Sequence, residues 1–413
     1  MIFDSSIRFL YWCAVFCTFF LSYIQIGPYP PSNYIAVLIL YILIIKIFVS
    51  RKNTFKNNQL IPFVLLISLI IALTMVLKGY TIYEIIIRLT KSMGTGLILS
   101  MASFHVVFTY GFKSALKPIL LFAVLTSIVA FFQIMGFDFA WSLREIMGYA
   151  NDGEVLKQLT ERERAPGMAF YVTTMSYQLL VAFALTMIGI HYKINYLIKR
   201  IPINIIVIII ISTVIILSGS RSAYPVILLS LFTLFNDNTK PYRYLLIFLI
   251  LGSIISLIYF NDDLYNRMTS VGFGGRLDRW YNGIQMTLYN PFGIFKNTGN
   301  YKEILLSQSF NTSGVGEFPH NHLITSAVKF GLLPVLIYII YNLTLILRVY
   351  LALKKYRAII ILSILFYQFN TMFHNAGMLL GEQNGWYMFG IIESLLAIER
   401  RRISYKLKER EDN

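Results

Sequence analysis

Apolar runs about as long as a bilayer is thick recur along the whole chain, and they leave few folds open. A hydrocarbon core about 30 Å across takes roughly 20 residues of helix. About twelve stretches meet or approach that demand. They cover residues 9–26, 34–50, 60–77, 92–110, 118–135, 168–190, 203–218, 222–235, 244–260, 332–351, 358–373 and 386–398. The eighth and the twelfth are short. No strand-like alternation of any length occurs, and no internal repeat or low-complexity tract. The expected fold is all-α, a polytopic integral membrane protein of about twelve transmembrane helices. Composition agrees: of 413 residues 57% are hydrophobic and 14% charged, against about 25% charged in a soluble domain. Residues 1–413 read as a single membrane domain. The first run is followed by Gly27-Pro28-Tyr29-Pro30-Pro31 rather than by a small-residue cleavage site, so it reads as a span and not as a signal peptide.

A formal net charge of +16 raises nucleic acid as a partner, but the distribution of charge speaks against it. Basic loops alternate with poorly charged ones. The basic ones hold Arg51, Lys52 and Lys56; Lys113 and Lys117; Lys193, Lys199 and Arg200; Lys240 and Arg243; Lys354, Lys355 and Arg357. With about twelve spans and a cytoplasmic N-terminus, all of these loops fall on the cytoplasmic side, as does the basic tail, residues 399–413. Both termini are then cytoplasmic. The tail is also suited to touch anionic membrane lipids. Lys78, Arg88 and Lys91 dissent, because the same threading puts them outside.

The outer side then receives residues 136–167 as a first large loop, 218–222 as a tight one, 261–319 as the main loop, and 374–385. Several arginines stand there against the charge rule. Long loops translocate largely regardless of charge, which accounts for Arg144 or Arg267. Arg221 sits in a very short loop between two apolar runs, and charge at a membrane edge is a functional hypothesis by default. Cys13 and Cys17 lie one helical turn apart in an apolar run and read as packing residues.

The main loop carries the most chemistry. Leu277, Trp280, Tyr281, Ile284 and Leu288 recur at helical spacing, which predicts a short amphipathic helix at the outer interface. Arg276 and Arg279 fall on its first turn, after Gly272 and Gly274-Gly275. Backbone amides at a helix start favour an anion, and arginine holds phosphate oxygens in a bidentate way. His320 follows, and a neutral histidine can take a proton from a hydroxyl. His322 points to another face if the segment is helical and reads as a structural partner. His374 is a further candidate, with Glu382 and Gln383 near it. His105 and His191 read as structural. No metal site is expected, because two histidines without a carboxylate set hold a metal poorly.

Ser218-Gly219-Ser220-Arg221-Ser222-Ala223, Arg276-x-x-x-Trp280, Asn290-Pro291-x-Gly293 and His320-Asn321 occur in that order, with Gly331 closing the set. With Arg164-x-x-Gly167 before them, they resemble the bacterial O-antigen ligase and O-antigen polymerase superfamily over residues 164–334. The chain departs at Gly331-Leu332-Leu333-Pro334, where that family often has Gly-x-x-Gly.

The resemblance implies a fold similar to the C-type membrane glycosyltransferases and a metal-independent glycosyl transfer, without cofactor, at the periplasmic face of the bacterial inner membrane. The donor would be an undecaprenyl diphosphate-linked oligosaccharide. Arg221 and Arg276 would clamp its diphosphate, and His320 would orient or deprotonate the acceptor hydroxyl. Arg164, Arg279, Asn321, His322 and His374 would contribute to substrate binding. A polymerase would move the growing glycan onto the next lipid-linked repeat unit, and a chain-length regulator is an expected partner. A ligase would move it onto lipid A-core. The polymerase reading is preferred. A non-enzymatic alternative, a lipid-linked oligosaccharide flippase, should carry polar groups along its spans, whereas here they gather at one face.

Overall fold

A computed structural model describes residues 2–22, 24–50, 55–146, 165–169, 171–191, 201–217, 276–294, 303, 319–354, 356–374 and 376–411. Among them there is no strand, only an isolated bridge between Ile26 and Tyr29. The protein is an all-α polytopic membrane protein. Its helices are α1 (Ile2–Phe20), α2 (Pro31–Ser50), α3 (Leu60–Leu77), α4 (Ile82–Leu89), α5 (Thr95–Tyr110), α6 (Phe112–Ile134), α7 (Asp138–Ile146), α8 (Val172–His191), α9 (Ile201–Leu217), α10 (Arg276–Tyr289), α11 (His322–Phe330), α12 (Leu332–Ala352), α13 (Arg357–Thr371) and α14 (Asn384–Glu411).

Among the described residues, seven helical stretches are long and apolar enough to cross a membrane. α3 shows why: it is apolar all round, and Leu65, Leu69 and Leu73 stay exposed on its outer side. A helix of that kind is solvated by lipid rather than water. Two more of the expected spans are shorter apolar helices, Ile206–Ile215 and Arg357–Thr371. The expected spans 222–235 and 244–260 lie outside the described residues.

Several boundaries differ from the hydropathy reading. α1 starts at Ile2, with its Asp4 paired to Lys46 of α2. The fourth span begins earlier, because α4 runs through a π-helical turn (Thr90–Gly94) directly into α5. Thr81 starts it with a capping box, its side chain accepting from the Glu84 amide while Glu84 accepts from Thr81. The loop expected over 136–167 contains α7. The last helix does not stop at residue 398 but continues to Glu411, because its Glu, Lys and Arg residues form helix well outside an apolar phase.

α14 is the central post. It lies along α5 so closely that a Cβ at Gly390 would run into the Ser100 carbonyl oxygen, the small-residue approach that membrane helices favour. Arg348 of α12 donates to both Glu393 carboxylate oxygens of α14 at 2.8 Å, and Tyr341 donates to the same group at 3.2 Å. These two buried charges thus satisfy each other.

Alternation of the helices puts the turns after α1, α3, α6 and α13 at one end of the bundle, together with α7, α10 and α11. We call this the site end. The turns after α2, α5 and α12 lie at the opposite end.

Candidate functional site

Two short helices build the site end. α11 starts where Asn321 accepts from the Leu323 and Ile324 amides at 3.0 and 3.2 Å, an N-cap that satisfies two donors with no partner inside the helix. It stops at Gly331, whose φ is 95°. α10 runs alongside it in the same direction. At its middle Gly283 meets the start of α11, where a Cβ would lie 2.5 Å from Pro319 Cγ. Past its end Gly293 meets Gly331, and a Cβ there would stand 2.5 Å from the Gly331 nitrogen. Ile294 N donates to Val328 O at 2.8 Å and Leu332 N to Pro291 O at 2.9 Å. The Asn290–Gly293 and Gly331 motifs are therefore two halves of one joint.

The apolar stripe of α10 faces outward. Leu277 is 56% exposed, Tyr281 59% and Leu288 63%. Trp280 instead turns to Phe373, with ring centroids 6.2 Å apart. The buried side holds Asn282, Gly283, Met286 and Thr287. Arg279 is four residues before Gly283 and so shares the face that meets Pro319. Arg276 opens the helix.

His320 stands at the point where α10 and α11 meet. Its φ is 51°, and among the described residues it is the one non-glycine residue with positive φ. That backbone state is costly for a side chain-bearing residue and is kept only where the surroundings over-determine it. His322, two residues on, is fully buried. Its ring stands edge-on to Tyr338 at 5.5 Å and flush with Gly377, where a Cβ would collide with its Cδ2. Neither ring nitrogen has a hydrogen-bond partner among the described residues. Burial pushes its pKa down to about 3, so the ring is neutral. His374 packs edge-on against Tyr177 at 5.4 Å.

The structure thus brings His320, Asn321, His322, Arg279 and His374 to one end, with the Arg276 backbone. Asn321 uses its carboxamide oxygen as a helix cap. Arg164 and Arg221 lie outside the described residues, as do the Gly272–Gly275 turn and most of 261–319. Glu382 is structural: it accepts from Tyr367 Oη at 2.6 Å and from the Asn384 and Gly385 amides at 2.6 and 2.9 Å, capping α14. Gln383 accepts from Thr18 at 3.0 Å.

Sequence reasoning missed two sets of residues. Arg144 is buried and donates to the Gly167 carbonyl at 3.1 Å and to that of Ala169. With Gln133, which donates to Gly167 O and accepts from Gly167 N, it fixes the segment that follows Arg164. The second set is Lys78, Arg88 and Lys91. Lys78 donates to the Gly293 carbonyl, Arg88 lies 5.1 Å over the Tyr80 ring, and Lys91 lies 5.6 Å over Tyr29. Their disobedience to the charge rule was the signal. Among the described residues no group of three or more His, Cys, Asp or Glu side chains gathers.

Residues 206–339 match a family model described as O-antigen ligase. That segment runs from within α9 into α12 and contains α10, α11 and the glycine joint. No curated protein matches the chain.

Proposed function

Since residues 206–339 put this chain in the O-antigen ligase and polymerase superfamily, we propose that it is an O-antigen polymerase. It transfers a growing glycan from undecaprenyl diphosphate onto the next lipid-linked repeat unit at the periplasmic face. The observation that carries the reading is His320, held in a strained backbone where α10 and α11 meet. Strain of this kind gathers at functional sites.

His320 accepts the proton of the acceptor hydroxyl as that oxygen bonds to the anomeric carbon of the donor. The bond from that carbon to the diphosphate oxygen breaks, and the diphosphate leaves with the electron pair. Arg221 and Arg276 stabilise its developing charge, with Arg279 beside them. These arginines supply the positive charge, so no metal is required. His322, neutral and enclosed, supports the wall behind His320. The charge of the loops supports an inner-membrane location with both termini cytoplasmic.

A ligase is the second reading, favoured by the description of the matched family. Purified protein given undecaprenyl diphosphate-linked repeat units with and without lipid A-core separates the two. A polymerase builds a ladder of lengthening glycans from the repeat units alone. Transfer only when lipid A-core is present would replace the polymerase reading with the ligase one.

A further inference from the structure

Phe373, His374, Ala376 and Gly377, in the turn after α13, touch three helices that build or back the site end. Phe373 faces Trp280 of α10, with ring centroids 6.2 Å apart. Gly377 lies flush with the ring of His322, at the start of α11 and two residues after His320. α8 holds the same turn at two points through Tyr177, which is buried. Its ring stands edge-on to His374 at 5.4 Å, and its hydroxyl donates to the Ala376 carbonyl at 3.0 Å. The far side of the turn is fixed as well, where Leu380 N and Glu382 N donate to Gly377 O at 2.9 and 3.1 Å. Tyr177 stands on a firm base, because α8 begins at Val172, just after the segment that Arg144 and Gln133 hold. Neither Tyr177 nor this turn belongs to residues 206–339, so the family match does not single them out.

A buried tyrosine hydroxyl takes a partner wherever it lies, so the bond by itself is ordinary. Its target points further, because the gripped turn also meets α10 and α11 beside His320. We infer that Tyr177 is a positioning residue for the transfer, and that it sets His374 as part of the acceptor side of the site. The inference rests on the polymerase reading. The two substrates differ in chemistry where they react. The donor carries a diphosphate, which calls for arginine. The acceptor presents a neutral sugar, which is held by hydrogen bonds and apolar faces rather than by charge. His374 is half-buried and offers a group of that kind, an imidazole that both donates and accepts when neutral. Phe373 and Trp280 supply the apolar surface beside it. Tyr177 limits the freedom of that imidazole, and a group already held in its binding geometry loses less entropy when the substrate arrives.

The test uses the full chain in nanodiscs with two substrates that keep the roles apart. The donor is glycan on undecaprenyl diphosphate. The acceptor is one repeat unit on an alkyl glycoside, which can accept but has no diphosphate to lose. Tyr177→Phe keeps the ring and removes only the hydroxyl. It should raise the acceptor KM about 3- to 10-fold, the worth of one hydrogen bond, and leave donor affinity unchanged. His374→Ala should raise the same KM by at least as much, and Tyr177→Phe should add nothing in the His374→Ala background. A purely structural tyrosine would lower the melting temperature and leave the KM of both substrates as in wild type, which would overturn the inference. So would equal weakening of donor and acceptor, or independent effects of the two substitutions. If wild type builds no glycan from lipid-linked repeat units alone, the polymerase reading itself fails and the inference falls with it. If wild type builds glycan and both variants keep its acceptor KM, only the role given to Tyr177 and His374 is wrong.

Discussion

The two ends of the bundle set positive charge against different partners. At the end opposite the site, cations close on local partners. Lys46 pairs with Asp4, whose carboxylate also shares a hydrogen bond with His105 Nε2 at 3.0 Å. Arg8 lies 5.1 Å over Tyr110, Arg401 4.2 Å over Phe108 and Arg357 4.5 Å over Tyr350. Between the ends, Arg348 and Glu393 pair bidentately inside the bundle. At the site end Lys78 is instead tied to the Gly293 carbonyl of the glycine joint, on the short helix pair that also carries the strained His320, while Arg88 and Lys91 lie over Tyr80 and Tyr29. Closed pairing holds helices together. A rigid joint beside a strained histidine, with Arg279 on the adjoining helix face, is the setting in which the proposed chemistry is assigned to that end.

Breaking each kind of charge should therefore have a different readout. Arg276→Ala should lower turnover by about 10²–10³ and weaken donor binding, with little change in thermal stability. Arg276→Lys should recover only part, because a point charge lacks the guanidinium fork. Equal loss of stability would move Arg276 to the structural class.

Glu393→Ala should do the reverse. It leaves Arg348 buried without its carboxylate, a cost of about 3–5 kcal/mol, read as a lower melting temperature in detergent. Arg348→Met with Glu393→Leu should recover most of that stability. A double variant as unstable as the single one would show that the pair does more than satisfy itself.

Gly331→Ala tests the joint itself. A Cβ there would meet the Pro291 carbonyl oxygen at 2.7 Å with φ at 95°, so a destabilisation of about 1–3 kcal/mol is expected, with displaced α10. Lost activity with unchanged melting would point to a direct role for Gly331 instead.

The smallest effect concerns His322. Its pKa falls from 6.5 to about 3 on folding, so the unfolded chain binds more protons in that window. Its contribution is present above pH 6.5 and is lost as pH falls toward 3. His322→Phe should flatten that part of the stability profile. An unchanged profile would mean that the ring is not enclosed as described.

Much of this contrast was legible in the sequence, though unevenly. Apolar runs mark helices because the bilayer imposes one length on all of them, and α3 and α12 keep the expected bounds within a residue. The amphipathic period of α10 was readable because it is local. What was not readable depends on contacts between distant residues. Lys78 meets Gly293 across more than half the chain, and nothing in either neighbourhood announces the other. Arg144 looked like a tolerated loop charge because its carbonyl partners only come together once α7 folds back on α6. The strain at His320 was equally hidden, since a histidine's backbone angle follows from the packing of α10 on α11 and not from its neighbours in sequence.

The central claim is that His320 handles the acceptor while the arginines hold the donor. It is tested most directly by measuring donor affinity and turnover separately for His320→Ala, with undecaprenyl diphosphate-linked repeat units. Donor affinity should stay within a few-fold of wild type while the rate falls by about 10²–10⁴, the usual worth of a general base. A His320→Ala protein with normal turnover, or a folded one that no longer binds donor, would contradict the account.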